Sequence, residues 1–174
     1  MKLKAKRTAA YKQYSESLQS VLSCVTNQPL VRRRSEEVEE FFLAGGPTRL
    51  TGCDLLLGMS QYFHILDDPE SGECTVRTAS YTYEILDFNS HKDLFCFHWE
   101  PHSKVKYPHT HLGFGVSSHG LPIDNKAHIP SGRVALEDVV EFLINDLGVK
   151  PLKKDWVEII EPSRSEFHKI KHWK

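Results

Sequence analysis

The residues best suited to chemistry are His109 and His111, which lie two positions apart in the stretch YPHTHLG. Side chains alternate along a β-strand, so both imidazoles would project from one face while Thr110 points away. An unperturbed imidazole titrates near neutral pH and is also a common ligand for borderline metals. Seven of the ten histidines lie between His91 and His128, so further imidazoles are close in sequence. The pair predicts either proton transfer or metal binding.

Metal binding needs more ligands than the pair supplies. Zinc takes three or four protein ligands. The candidates for the third are His98 on a predicted neighbouring strand, His102 in the loop between, and Asp87. The sequence does not choose among them. Zinc is therefore the cofactor predicted by this alternative, and no cofactor is expected if the histidines transfer protons.

Proton transfer would suit cleavage of a phosphodiester. RNA cleavage through its own 2′-hydroxyl needs a base, an acid and a cation for the charge on the phosphate oxygens. His109 and His111 are the predicted acid and base, supported by His98. Cations and aromatic side chains would hold and stack the nucleic acid. The predicted substrate-binding residues are Lys104, Lys106, Arg133, Tyr81, Tyr83 and Tyr107.

The composition is that of an ordinary folded domain. The chain has 174 residues, a formal net charge of -1, 40% hydrophobic and 26% charged residues, enough for one core. Four scattered cysteines form no C-x-x-C pair, which excludes thiolate zinc and redox motifs. No apolar stretch suits a membrane span or a secretory signal, so we expect a cytoplasmic protein without membrane contact. Phosphate-loop and dinucleotide motifs are absent, which excludes those cofactors.

Apolar residues spaced three and four apart predict two amphipathic helices. The first runs from Ala9 to Val25, and its apolar face must be covered by the sheet or by a second copy of the chain. The second runs from Leu136 to Leu147 and ends at Gly148. Two further helices are predicted. One is short and acidic over 35–43, and the other starts at Asp155 and is broken by Pro162.

Strand patterns fill the middle of the chain. Residues 79–86, residues 94–99 and the strand that carries His109 and His111 predict an antiparallel meander, and 48–66 is ambiguous between helix and strand. We therefore predict an α+β fold with about four or five strands, helices packed mainly on one face, and an N-terminal helical extension. The predicted domains are that extension over 1–47 and an α+β domain with the histidine-rich site over 48–174. A single domain over 1–174 is the alternative.

Four short segments occur in a characteristic order between roughly 75 and 147: YTY at 81–83, FHWE at 97–100, PHTH at 108–111 and RVALED at 133–138. In this order they resemble the TumE-like toxins of bacterial toxin–antitoxin systems. The resemblance implies a cytoplasmic effector of a bacterial conflict system that acts on RNA, with His109 and His111 as the carried-over positions. An antitoxin is the partner that it implies.

The predicted function is therefore a nucleic-acid-acting effector, a metal-independent endoribonuclease-like toxin with paired histidines as general acid and base. The enzyme class would be ribonuclease or phosphodiesterase. RNA or another nucleic acid would be the partner, together with an antitoxin or a second copy bound through the N-terminal helix. The alternative is a non-catalytic binding or regulatory module, or a zinc-binding protein, with structural histidines.

Overall fold

The computed structural model describes residues 2–34, 39–68, 72–113 and 127–170. These residues form three helices: α1 (Lys2–Leu22), α2 (Leu136–Asn145) and α3 (Trp156–Ile170). They also form eight strands: β1 (Leu30–Arg34), β2 (Glu39–Leu43), β3 (Thr48–Arg49), β4 (Leu55–Asp67), β5 (Cys74–Asp87), β6 (Asp93–Trp99), β7 (His109–Leu112) and β8 (Ile129–Pro130).

All eight strands belong to one antiparallel sheet. The order is β1-β2-β4-β5-β6-β7-β8, and β3 pairs with β4 beside this path. Sequential neighbours pair almost throughout, so the predicted α+β fold with an antiparallel meander and an N-terminal helix is confirmed. The described chain has more strands than the four or five expected. Strands from both sides of residue 47 pair within this sheet, and the predicted domain boundary there stays a prediction.

The acidic helix predicted over 35–43 is wrong where the structure describes it, because 39–43 is the strand β2. Phe41 and Leu43 are buried in the core, which the alternation of a strand allows. The acidic residues pair across to β1, where Arg33 Nε lies 3.1 Å from Glu40 Oε2. Tertiary pairing therefore outweighs the local helix signal. Residues 35–38 lie outside the described residues.

The helices cover one face of the sheet. Phe95 and Phe97 of β6 make edge contacts with Phe142 of α2, at ring-centroid distances of 5.3 and 6.0 Å. Helix α1 packs against β4, β5, α2 and α3, and its buried residues Val21 and Leu22 join the core. The amphipathic face predicted for α1 is therefore covered by this chain's own sheet and helices.

The three remaining predicted helices are present, with differences in their extent. Helix α1 begins at Lys2 instead of Ala9 and ends at Leu22 instead of Val25, and α2 ends at Asn145 instead of Leu147. Helix α2 buries Leu136, Val139, Val140 and Leu143, as its spacing predicts.

The predicted break at Pro162 is wrong, since α3 continues through it. A proline inside a helix removes one hydrogen bond. Contacts of residues before and after Pro162 offset that loss, because Ile160 is buried and Arg164 forms ion pairs with α2.

The ambiguous region before residue 67 is mostly the long strand β4, which pairs with β5 along its length. None of the helices in the described ranges is long and apolar enough to cross a membrane.

Candidate metal centre

The register of β6 with β7 brings three histidines together. His98 lies opposite His109, and Cys96 lies opposite His111, while Phe97 pairs with Thr110. Since Phe97 contacts α2, Thr110 lies on the helix-covered face and the histidines lie on the opposite face. His109 and His111 thus share a face, as alternation predicts, and His98 joins them from the neighbouring strand.

Strand β7 is held close to β6 at its end. Gly113 N donates to the Leu94 carbonyl oxygen at 2.8 Å. A Cβ at Gly113 would lie 1.6 Å from the backbone oxygen of Asp93. Only glycine fits this approach, which fixes how the residues just before it meet β6.

The three imidazoles lie close enough together to be candidate ligands of one metal ion. One ligand atom from each of His98, His109 and His111 lies within 4.8 Å of the others. Nitrogens around a tetrahedral zinc ion would be about 3.4 Å apart, given Zn–N bonds of about 2.05 Å. Small side-chain movements would therefore bring the three nitrogens to bonding distance of one ion.

His109 is the most buried histidine of the three. Its side chain is 1% exposed, and its Nδ1 lies 2.9 Å from the Tyr107 carbonyl oxygen. A carbonyl only accepts, so Nδ1 carries a proton, and Nε2 is the nitrogen that carries the lone pair in the neutral ring with this tautomer. Within the residues that the structure describes, Nε2 is buried and has no hydrogen-bond partner.

The other two histidines are neutral near pH 7. Burial lowers the pKa of His111, as do the neighbouring imidazoles, while a hydrogen bond with the Ala127 backbone acts in the opposite direction. Because this contact raises the pKa, the imidazole donates and the Ala127 carbonyl accepts. Burial and His109 likewise lower the pKa of His98, opposed by Glu100. Neutral imidazole is the form that binds metals.

His128 also belongs to this cluster, and sequence reasoning did not single it out. Its ring centroid lies 4.8 Å from that of His109 and 4.6 Å from that of His111. The position follows from the pairing of β7 with β8. A two-residue strand has no periodic signal, so only the fold reveals this neighbour.

Most of the predicted substrate-binding residues lie away from the histidines. Tyr81 and Tyr83 are buried on the helix-covered face, where their rings stack with centroids 5.0 Å apart. The Arg133 guanidinium lies 3.7 Å from the ring centroid of Trp99, which Tyr81 also contacts. The structure does not bring these three predicted residues to the site.

The loop between β6 and β7 carries the other three. Lys104 and Lys106 are exposed in this loop. Tyr107 is also exposed, and its ring centroid lies 5.9 Å from that of His109. The structure therefore brings Tyr107 to the rim of the cluster.

Of the three candidates for the third ligand, the structure groups only His98 with the pair. Asp87 Oδ1 instead accepts hydrogen bonds from Ser90 N and Oγ, both at 2.7 Å, in the turn after β5. His102 is exposed in the loop after β6 and is not part of the three-histidine group found among the described residues.

Three imidazole nitrogen donors suit zinc, cobalt, nickel and copper better than magnesium or calcium, which prefer oxygen. Two of the imidazoles also have an outer hydrogen-bond partner, since the Tyr107 carbonyl accepts from His109 and the Ala127 carbonyl accepts from His111. Such partners orient metal-binding histidines. Glu100 Oε2 lies 3.9 Å from His98 Nε2, which is beyond hydrogen-bond distance.

The chain was compared with protein-family models, with curated proteins and with solved structures, and it matches none of them.

Proposed function

We propose that this is a metal-binding protein whose centre, formed by His98, His109 and His111, holds a divalent transition metal such as zinc. The observation that carries the proposal is the Nε2 atom of His109, a buried acceptor without a partner among the described residues. Leaving such a group unsatisfied costs about 1–3 kcal/mol. A metal ion between the three imidazoles would accept its lone pair.

The tautomer of His109 supports the same proposal. Its Nδ1 donates to the Tyr107 carbonyl, so Nε2 is the ring nitrogen that remains to bind a metal. Metal-binding histidines commonly donate their second ring N–H to a backbone carbonyl or a carboxylate. The lowered pKa values of His98 and His111 act in the same direction, because fewer protons compete with the metal.

The metal proposal fits His109 better than acid–base catalysis does. A general acid or base must reach within hydrogen-bond distance of the group with which it exchanges a proton. His109 is 1% exposed, so a phosphodiester would not reach its ring without a rearrangement. The endoribonuclease-like toxin, its RNA substrate and an antitoxin partner therefore stay predictions that rest on the resemblance and the predicted acid–base pair.

We also place the protein in the cytoplasm. Its four cysteines are free, as the reducing environment of that compartment maintains them.

The metal proposal is tested by metal analysis of protein purified without a nickel column. We expect about one zinc or cobalt ion per chain, lost in His109→Ala and retained in His102→Ala. The latter removes an exposed imidazole from the neighbouring loop and so controls for the loss of a histidine. Metal at 100 times its Kd should stabilise the wild type by about 2.7 kcal/mol in thermal unfolding, and His109→Ala should lack this gain.

Equal metal content in the two variants, or no binding after zinc is added, would contradict the metal proposal. Incubation with labelled RNA in a chelator serves as the parallel assay. Cleavage that survives the chelator and stops in His111→Ala would support the acid–base reading instead.

A further inference from the structure

We propose that His128 is the fourth ligand of this centre, so that four imidazoles enclose the metal and fasten β8 to β7. This inference rests on the proposed function. It concerns what occupies the last coordination position, which decides whether a substrate can reach the metal. Closed zinc sites are structural, whereas catalytic sites keep one position for water.

The distances between the imidazole rings place His128 in the cluster. The ring centroids of His128 and His111 are 4.6 Å apart, and those of His128 and His109 are 4.8 Å apart. The two histidines of the sequence pair are themselves separated by 4.8 Å, and His98 lies 6.5 Å from His111. By its ring centroid, His128 is therefore as near to the central pair as His98 is. Its ligand nitrogen is not in the 4.8 Å group that the other three histidines form, so its side chain would have to turn to bind the same ion.

Backbone pairing directs His128 toward the metal. Ile129 lies opposite Thr110, and Pro130 lies opposite His109. Alternation then puts the residue before Ile129 on the same face as the histidines. Ala127, the residue directly before His128, is also held at the cluster, because its backbone forms a hydrogen bond with the His111 ring.

Few contacts with other described residues hold β8 in the sheet. The strand has two residues, both exposed, and the neighbouring Ser131 N donates to the Pro108 carbonyl oxygen at 2.9 Å. Two-residue pairings with no buried side chain are weak. A bond from His128 to a metal held by His98, His109 and His111 would supply the missing attachment.

Burial gives the four ligands different roles. His109 is buried, while His128 is exposed. The ion would thus be held from below by β6 and β7 and covered from above by Ala127 and His128, the two described residues just before β8. Metal occupancy would control whether this segment is attached to the sheet, and the ion would have no position left for a substrate.

The test uses the full chain loaded with Co²⁺, whose visible spectrum reports coordination, and azide as a small anion that enters an open position. We expect the wild-type spectrum to be unchanged by azide. His128→Ala should bind Co²⁺ about 100-fold more weakly, at least the loss that removing an outer partner causes, and its spectrum should respond to azide. His102→Ala should behave as the wild type.

An azide response in the wild type would overturn the inference, because it would show an open fourth position. That outcome needs no variant, so a poorly folded His128→Ala protein would not obscure it. Absence of any Co²⁺ spectrum in the wild type would instead contradict the proposed metal function. Amide exchange gives a second measurement: Zn²⁺ should slow exchange in residues 127–131 of the wild type and leave it unchanged in His128→Ala.

Discussion

Glu137 and His109 are both buried polar side chains, but their surroundings differ. Glu137 accepts a hydrogen bond from Ser163 Oγ, which also lies 2.9 Å from Ser17 Oγ. These contacts join all three helices. His109 instead has one nitrogen satisfied and one without a partner in the described chain. The first arrangement is complete as a structural network, while the second leaves one buried nitrogen open, and this contrast favours a site at His109.

The buried carboxyl predicts a pH dependence of stability. Burial raises the pKa of Glu137, with the Ser163 hydrogen bond and Arg164 opposing. The folded state therefore holds this proton more tightly than the unfolded state does. Its stabilising contribution is full below the unfolded pKa and is lost as the pH rises through the folded one. Glu137→Gln, which keeps the acceptor for Ser163, should gain stability relative to the wild type as the pH rises from 4 to 7.

Urea unfolding at several pH values measures this difference. Glu158→Gln is the control, since it removes one exposed carboxylate from α3. A Glu137→Gln variant that loses stability relative to the wild type over this range would show that the ionised form is favoured, through Arg164, and would contradict the assignment.

At the scale of elements, α2 is the clearest case in which sequence and structure agree. Leu143 lies on the apolar face of this helix and is fully buried. Leu143→Asp would place a charge in the core and should destabilise the fold by about 3–5 kcal/mol. Asn145→Asp puts the same side chain at an exposed position of the same helix and should change stability by about 0.5 kcal/mol or less. Chemical denaturation of both variants makes the comparison, and similar curves would reject the packing of α2.

Elements with a long periodic pattern could be predicted, and short ones could not. Alternation identifies β5 and β6, and helical spacing identifies α1 and α2, because each has enough residues to show a period. The strand β2 was not predicted, because Ser35 and the acidic residues after it favour a helix locally. Pairing with β1 makes this segment a strand. His128 escaped because its position depends on β8, whose two residues carry no pattern.

The same limit applies to the site. Spacing alone puts His109 and His111 on one face, but it could not choose among His98, His102 and Asp87. That choice needs the register of β6 with β7, which sets His98 opposite His109. Spacing alone also could not tell on which face of the sheet Tyr81 and Tyr83 lie. Tyr81 and Tyr83 share the buried face with Phe97 and Trp99, a fact that follows from register and not from residue type.

In the molecule as a whole, the two faces of the sheet carry different groups of residues. The helices and the main core lie on one face, and the candidate metal centre lies on the other. Substitutions at the histidines should therefore leave the helix-side core intact.

Helix α1 is part of that core, because it contacts strands and helices from the later part of the chain. The chain thus depends on its N-terminal residues for folding.

Removing residues 1–28 tests this dependence. The deletion takes away Val21, Leu22 and Val25, all essentially inaccessible to solvent, and the Tyr14 hydroxyl that lies 3.0 Å from Thr78 Oγ1. Burying an aliphatic side chain contributes about 1.5–3 kcal/mol, so losing three removes much of the roughly 5–15 kcal/mol that stabilises a typical domain. We expect a truncated chain without cooperative unfolding in urea. Removing only residues 1–7, which takes away exposed ion pairs worth about 0–1 kcal/mol each, should leave the transition in place. A folded, monomeric product of the longer deletion, derived from a dimeric full-length chain in light scattering, would show instead that α1 serves to join two copies.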